Sequence, residues 1–238
     1  MNLNVTQSIP EVLDKSKELL DALQKDLNNK NKLFLEFNFD TQSLEQHFVL
    51  YSQAQLAQMD YENATKGDLK AKEEFEKQYA AAGNIYYTHE AHLKVALKSN
   101  PEKQLDLGIS GKLEGKTSAE WLDNTFQIYD HLLSDPITIA ELNKYFITKQ
   151  DLEHGQAVII GTRDAYEVVV KGRDEIKTVI DKRDQAILAL IDKIAEIQAF
   201  LNKASKKDPK IIEKYNLPVL NDPIGQDMLT MVKDSSIT

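Results

Sequence analysis

The string Thr88-His89-Glu90-Ala91-His92 is where this sequence comes nearest to metal chemistry. A zinc protease needs His-Glu-x-x-His, because a four-residue step puts both imidazoles on one helix face beside the glutamate base. Here the step is three, so that arrangement fails on spacing. His89 falls on an apolar helical stripe, and His92 lies one position off it. Asp151 and His154 are also three apart, loosely like one pair of a di-iron bundle, but such a site needs a second pair and two more inward carboxylates. The positions 108 residues earlier hold Ser43 and Gln46, which cannot supply them. Gly115-Lys116-Thr117 ends like a phosphate-binding loop, yet its first glycine should stand where Ser110 is, and no α/β alternation surrounds it. Thr117-Ser118-Ala119-Glu120 therefore reads as a helix capping box. No Ser-His-Asp arrangement can be traced, and there is no cysteine to serve as nucleophile, thiolate ligand or disulfide partner. The sequence predicts no catalytic residue, no metal and no cofactor: the chain is not expected to be an enzyme.

What remains is aromatic. Tyr79, Tyr86 and His89 fall together in a stretch rich in polar-tipped rings, and such a seam could line a cleft for a small ligand. Trp121, Phe126 and Tyr129 lie on a following helix aromatic enough to serve as an interface. The carboxylates mostly stand beside lysines, as in "KEEFEK", the pattern of solvated helix faces.

Long helices must position these residues. Only 9 Gly and 6 Pro interrupt 238 residues, so turns are scarce. From Ile176, steps of four and three land on Ile180, Arg183, Ile187, Leu190, Ile194, Ile197, Leu201 and Ala204, an apolar stripe broken only by Arg183. The same register earlier reads Phe75, Tyr79, Ala82, Tyr86, His89, Leu93 and Ala96. Helices are predicted over 9–28, 41–64, 68–99, 101–107, 117–134, 138–146, 148–172, 174–206 and 209–215. Lys66-Gly67-Asp68 and Lys171-Gly172-Arg173-Asp174 read as turns between hairpin arms, since glycine lowers helix propensity by about 1 kcal/mol and Asp68 suits an N-cap. The heptad phase nevertheless runs almost unbroken from Val158 to Ile176, so a continuous long helix is the alternative.

The stripes repeat at an offset of about 108 residues. Asn100-Pro101 answers Asp208-Pro209, Gly108 answers Asn216, and Ile109 answers Leu217. Each stretch is a helix break, a short helix opened by an Asx cap and proline, and a stop at a residue tolerant of left-handed backbone. The expected fold is all-α: two tandem repeats of about 108 residues, each a hairpin plus a short capping helix, packed as one or two bundles. Domain boundaries fall at 1–110 and 111–219, with a tail at 220–238 that could cap the array and a linker at 110–116. The residues Leu93, Leu97, Pro101, Leu105, Gly108 and Ile109, with Leu201, Pro209, Ile212, Asn216 and Leu217, resemble a group of uncharacterised bacterial proteins built from tandem helical hairpins. That resemblance implies architecture and no activity.

Net charge is -9, and no cluster of Lys and Arg interleaves with aromatics, so neither nucleic acid nor an anionic membrane is an expected partner. The longest apolar stretches, "AVII" and "AILALI", fall far short of a bilayer span, and the first residues lack the pattern of a secretory signal. A cytoplasmic protein is expected, with secretion not excluded by the composition. The predicted role is a non-enzymatic scaffold or interaction module whose partner is another protein or a second copy of itself. The alternative is a small-ligand or metal-binding bundle at the Tyr79/Tyr86/His89 seam.

Overall fold

A computed structural model describes residues 8–29, 34, 39–109 and 116–215. Seven helices lie among them: α1 Ile9–Asn28, α2 Thr41–Ala96, α3 Pro101–Asp106, α4 Ser118–Ser134, α5 Pro136–Asn143, α6 Lys149–Ser205 and α7 Lys210–Lys214. No strand occurs among the described residues, and the fold is all-α as expected. None of the described helices is long and apolar enough to cross a membrane. The predicted stop at Asn216 and Leu217, most of the 110–116 linker and the 220–238 tail lie outside the described residues.

Each helix start is specified by a side chain that answers an orphan backbone N–H. The Ser8 N–H donates to Glu11 at 2.8 Å, and the Ser43 N–H donates to Asp40 Oδ1 at 2.8 Å. Asn100 Oδ1 accepts from the Lys103 N–H at 3.1 Å. Thr117 and Glu120 form the predicted capping box, with bonds of 2.9 and 3.3 Å. The Thr148 N–H donates to Asp151 Oδ2 at 2.8 Å. Gly108, at φ +71°, ends α3, and the Ile109 N–H then bonds the Gln104 carbonyl at 3.0 Å with its side chain fully buried. The 101–109 punctuation is built as the residue types dictate.

The hairpin turns are not built. α2 runs 56 residues through Gly67, and α6 runs 57 residues through Gly172. Neither glycine adopts positive φ, and Asp68 bridges to Lys72 at 2.6 Å within the helix instead of capping a new one. The two helices pack antiparallel here: Phe75 meets Tyr166 with ring centroids 5.3 Å apart, and the Thr162 hydroxyl donates to the Gln78 carbonyl at 3.5 Å. An unbroken apolar seam on both helices outweighs the ~1 kcal/mol that one glycine costs. The helix expected at 138–146 starts two residues earlier. Asp135 caps it through the Ile137 and Thr138 N–H groups, at 3.0 and 3.2 Å.

Two compact units form, one from Met1–Asn63 with Ile176–Thr238 and one from Ala64–Glu175. They do not follow the 110/111 sequence boundary, because each long helix contributes to both. The first unit packs α1 on the start of α2 and the end of α6, around Leu20, Leu23, Leu44, Ala54, Leu190, Ile194 and Leu201. Buried Asp26 of α1 accepts from Lys214 at 2.5 Å and from the Tyr215 hydroxyl, holding α7 in place. Arg183, the break in the apolar stripe, is buried here too. Its guanidinium lies 4.2 Å from the Tyr61 ring and pairs with Asp184 at 2.6 Å, so the charge is matched where the stripe demands burial. The second unit packs the end of α2, α3, α4, α5 and the start of α6 around Tyr86, Leu93, Leu122, Leu132, Leu142 and Leu152. There Lys103 of α3 pairs with Asp135 at 2.5 Å.

Candidate functional site

The second unit gathers five of the six aromatic and histidine residues singled out from the sequence into one seam. α2 supplies Tyr79, Tyr86 and His89, and α4 supplies Trp121 and Tyr129. Trp121 lies 4.9 Å from Tyr79 and, edge to face, 5.8 Å from Tyr86. Tyr129 lies 6.4 Å from Tyr86 and 5.8 Å from His89, and His89 Nδ1 shares a 2.8 Å hydrogen bond with the Tyr129 hydroxyl. Phe126 is the exception: it turns from this cluster and sits 5.1 Å under the Arg163 guanidinium. Trp121 and Tyr129 are 3% and 1% exposed, so the unit's own core covers both.

α6 closes the seam by a glycine. A Cβ at Gly155 would stand 2.5 Å from the Tyr129 oxygen and 2.6 and 2.7 Å from two ring carbons, so only glycine lets the ring lie flat against α6. Burial shapes the acid–base chemistry. It pushes the Tyr86 and Tyr129 hydroxyls far above the ordinary phenol value. It also lowers the His89 pKa, against the opposing pull of Asp151 and with the help of His92 and His154. Asp151 is itself held as a cap by the Thr148 N–H and hydroxyl, at 2.8 and 2.7 Å. Among the described residues no three His, Asp or Glu side chains converge so as to hold a metal ion. The Tyr86 hydroxyl, the Trp121 indole N–H and the Thr125 hydroxyl are buried with no hydrogen-bond partner among the described residues.

Comparison with known protein families, with curated proteins and with solved structures finds no match to this chain. The resemblance to tandem-hairpin proteins therefore stands on the 93–109 and 201–217 segments alone.

Two features escaped sequence reasoning. The first unit holds a groove of about 640 Å³ between α2 and α6, lined by Phe39, His47, Val49, Leu50, Ile197 and Phe200. Its floor is a pair of stacked rings, Phe39 and Phe200, with centroids 4.7 Å apart and planes at 11°. The second feature is Phe146, which follows α5 with φ +64° and 94% exposure. The signal for it was in the repeat: 108 positions earlier stands Asn38, a residue suited to that backbone.

Proposed function

We propose that the chain is a non-enzymatic helical scaffold of two tandem repeats of about 108 residues that docks another protein through Phe146. Phe146 carries the reading. It occupies the left-handed position ending α5, where the Ile147 N–H returns to the Leu142 carbonyl at 3.2 Å. Glycine or asparagine fills such a position without strain, whereas a bulky side chain there costs about 1–2 kcal/mol. The ring also stands almost wholly in water. A residue that burdens the fold twice is accounted for by a partner whose pocket takes the ring, since aromatic anchors dominate interface energetics. Ile137 and Tyr145, 79% and 37% exposed, sit near the two ends of the same helix.

Support for the duplication comes from chemistry recurring at the same offset. Caps stand at Asp40 and Thr148, at Asn100 and Asp208, and, with one residue inserted, at Ser8 and Thr117. The six-residue return seen at Leu142–Ile147 recurs as Phe39 N–H to the Phe34 carbonyl at 3.0 Å. Asp26 and Asp135, at the ends of α1 and α4, each anchor a lysine of a short helix, Lys214 and Lys103.

The test is photo-crosslinking in cells of the source organism, with p-benzoylphenylalanine at position 146 and, as control, at Leu69, which is 58% exposed. A discrete adduct at 146 alone supports docking, and its mass separates another protein from a second copy. No adduct, or the same adducts at both positions, overturns the reading.

A second reading, a small polar ligand enclosed at the seam, is favoured by the three unmet buried groups of Tyr86, Trp121 and Thr125. Native mass spectrometry decides it. A stoichiometric extra mass that disappears in His89→Ile supports the ligand, and a clean apo mass removes it.

A further inference from the structure

We propose that the groove of the first unit is a binding site for a neutral amphipathic small molecule, a phenol or alcohol whose hydroxyl donates to His47 Nε2. His47 is 92% buried by its 8% exposure, and its ring forms part of the groove wall. Its Nδ1 lies 2.5 Å from the Ser43 carbonyl, one turn back on α2. A carbonyl only accepts, so Nδ1 carries the proton, and Nε2 of the neutral ring is left as a bare lone pair on the opposite edge. That nitrogen has no hydrogen-bond partner among the described residues. A buried acceptor without a donor is costly, and the group that relieves it is an O–H or N–H brought in from outside.

The rest of the groove states the remainder of the ligand. The Phe39–Phe200 stack offers a flat apolar face, and Val49, Leu50 and Ile197 extend it. Lys193 and Glu196 stand at the wall as an ion pair of 2.7 Å, so the groove offers no unmatched charge, and a neutral ligand fits better than an ion. About 640 Å³ lies within the range of small-molecule pockets. His47 Nε2 sits beneath the wall, not open to the groove, so the hydroxyl reaches it after a rotamer change in a lining side chain. Val49, 56% exposed, is free to make one.

The probes are 4-butylphenol and 4-butylanisole, which share shape and differ in the donor, titrated by calorimetry into the full chain. The phenol is expected to bind one to one and about 3- to 10-fold tighter than the anisole, the ratio one net hydrogen bond supports. His47→Phe should erase the preference while retaining apolar binding, and Val49→Trp, at an exposed position, should block both probes. Circular dichroism verifies that each variant stays helical. The proposal fails if the two probes bind equally, if neither binds, if the preference survives His47→Phe, or if binding survives Val49→Trp. Failure to bind either probe would mean that solvent satisfies Nε2 and the groove is a surface feature only.

Discussion

Alanine in place of glycine at three positions of the two long helices should give opposite signs, and the sign is fixed by the seam. At Gly67 and Gly161 an added Cβ meets nothing within 4 Å, so alanine should stabilise by about 0.5–1 kcal/mol through helix propensity. At Gly155 the same Cβ arrives 2.5–2.7 Å from three atoms of Tyr129. The ring would have to retreat by about 1 Å to reach ordinary contact distance. It has little room to do so, being 1% exposed and bounded by Tyr86 and His89, and retreat breaks its 2.8 Å bond to His89. Overpacking costs about 1–3 kcal/mol and the lost hydrogen bond about 1, against a propensity gain of about 1. Gly155→Ala should therefore destabilise by about 1–3 kcal/mol, read as a lower urea midpoint with an unchanged slope. Tyr129→Phe should not restore it, because two of the three contacts are to ring carbons. Tyr129→Leu should, with a coupling of about 1–3 kcal/mol in the double-mutant cycle. If Gly155→Ala is as stable as the wild type while Gly67→Ala gains, Tyr129 is not locked against α6 and the seam is not the rigid core described.

Phe146→Gly should raise stability by about 1 kcal/mol by removing left-handed strain, measured by urea unfolding, and no gain would remove the strain argument. His89 gives a pH signature. Its folded pKa lies below the ordinary 6.5, so the unfolded chain binds the extra proton first. Stability is then fully present above about pH 6.5 and declines as pH falls toward the folded value. His89→Ile should flatten that segment of the stability–pH curve, and at neutral pH it should cost about 1–3 kcal/mol by leaving the Tyr129 hydroxyl unmet, a loss that added Tyr129→Phe recovers. Asp184→Ala should cost about 3 kcal/mol by stranding buried Arg183, and Arg183→Leu in the same chain should recover most of it, because replacing a whole buried pair is far cheaper than halving it.

The sequence by itself determined the local grammar. Periods of three and four, few glycines and Asx-Pro starts dictate helices, and Asn100, Gly108, Thr117 and Glu120 dictate where they begin and end, because caps answer backbone groups within four residues of themselves. It also put Tyr79, Tyr86, His89, Trp121 and Tyr129 on the right faces. Only the tertiary structure decided the rest. Whether the chain turned at Gly67 and Gly172 depended on what packed alongside, since ~1 kcal/mol of propensity is smaller than the seam that each helix offers the other. Arg183 reads as a defect in a stripe until Tyr61, 122 positions away, and Asp184 are seen to receive it. His47 reads as one more helical histidine. Its unmet nitrogen exists only because Phe39 and Phe200, distant in sequence, stack beside it and shut solvent out.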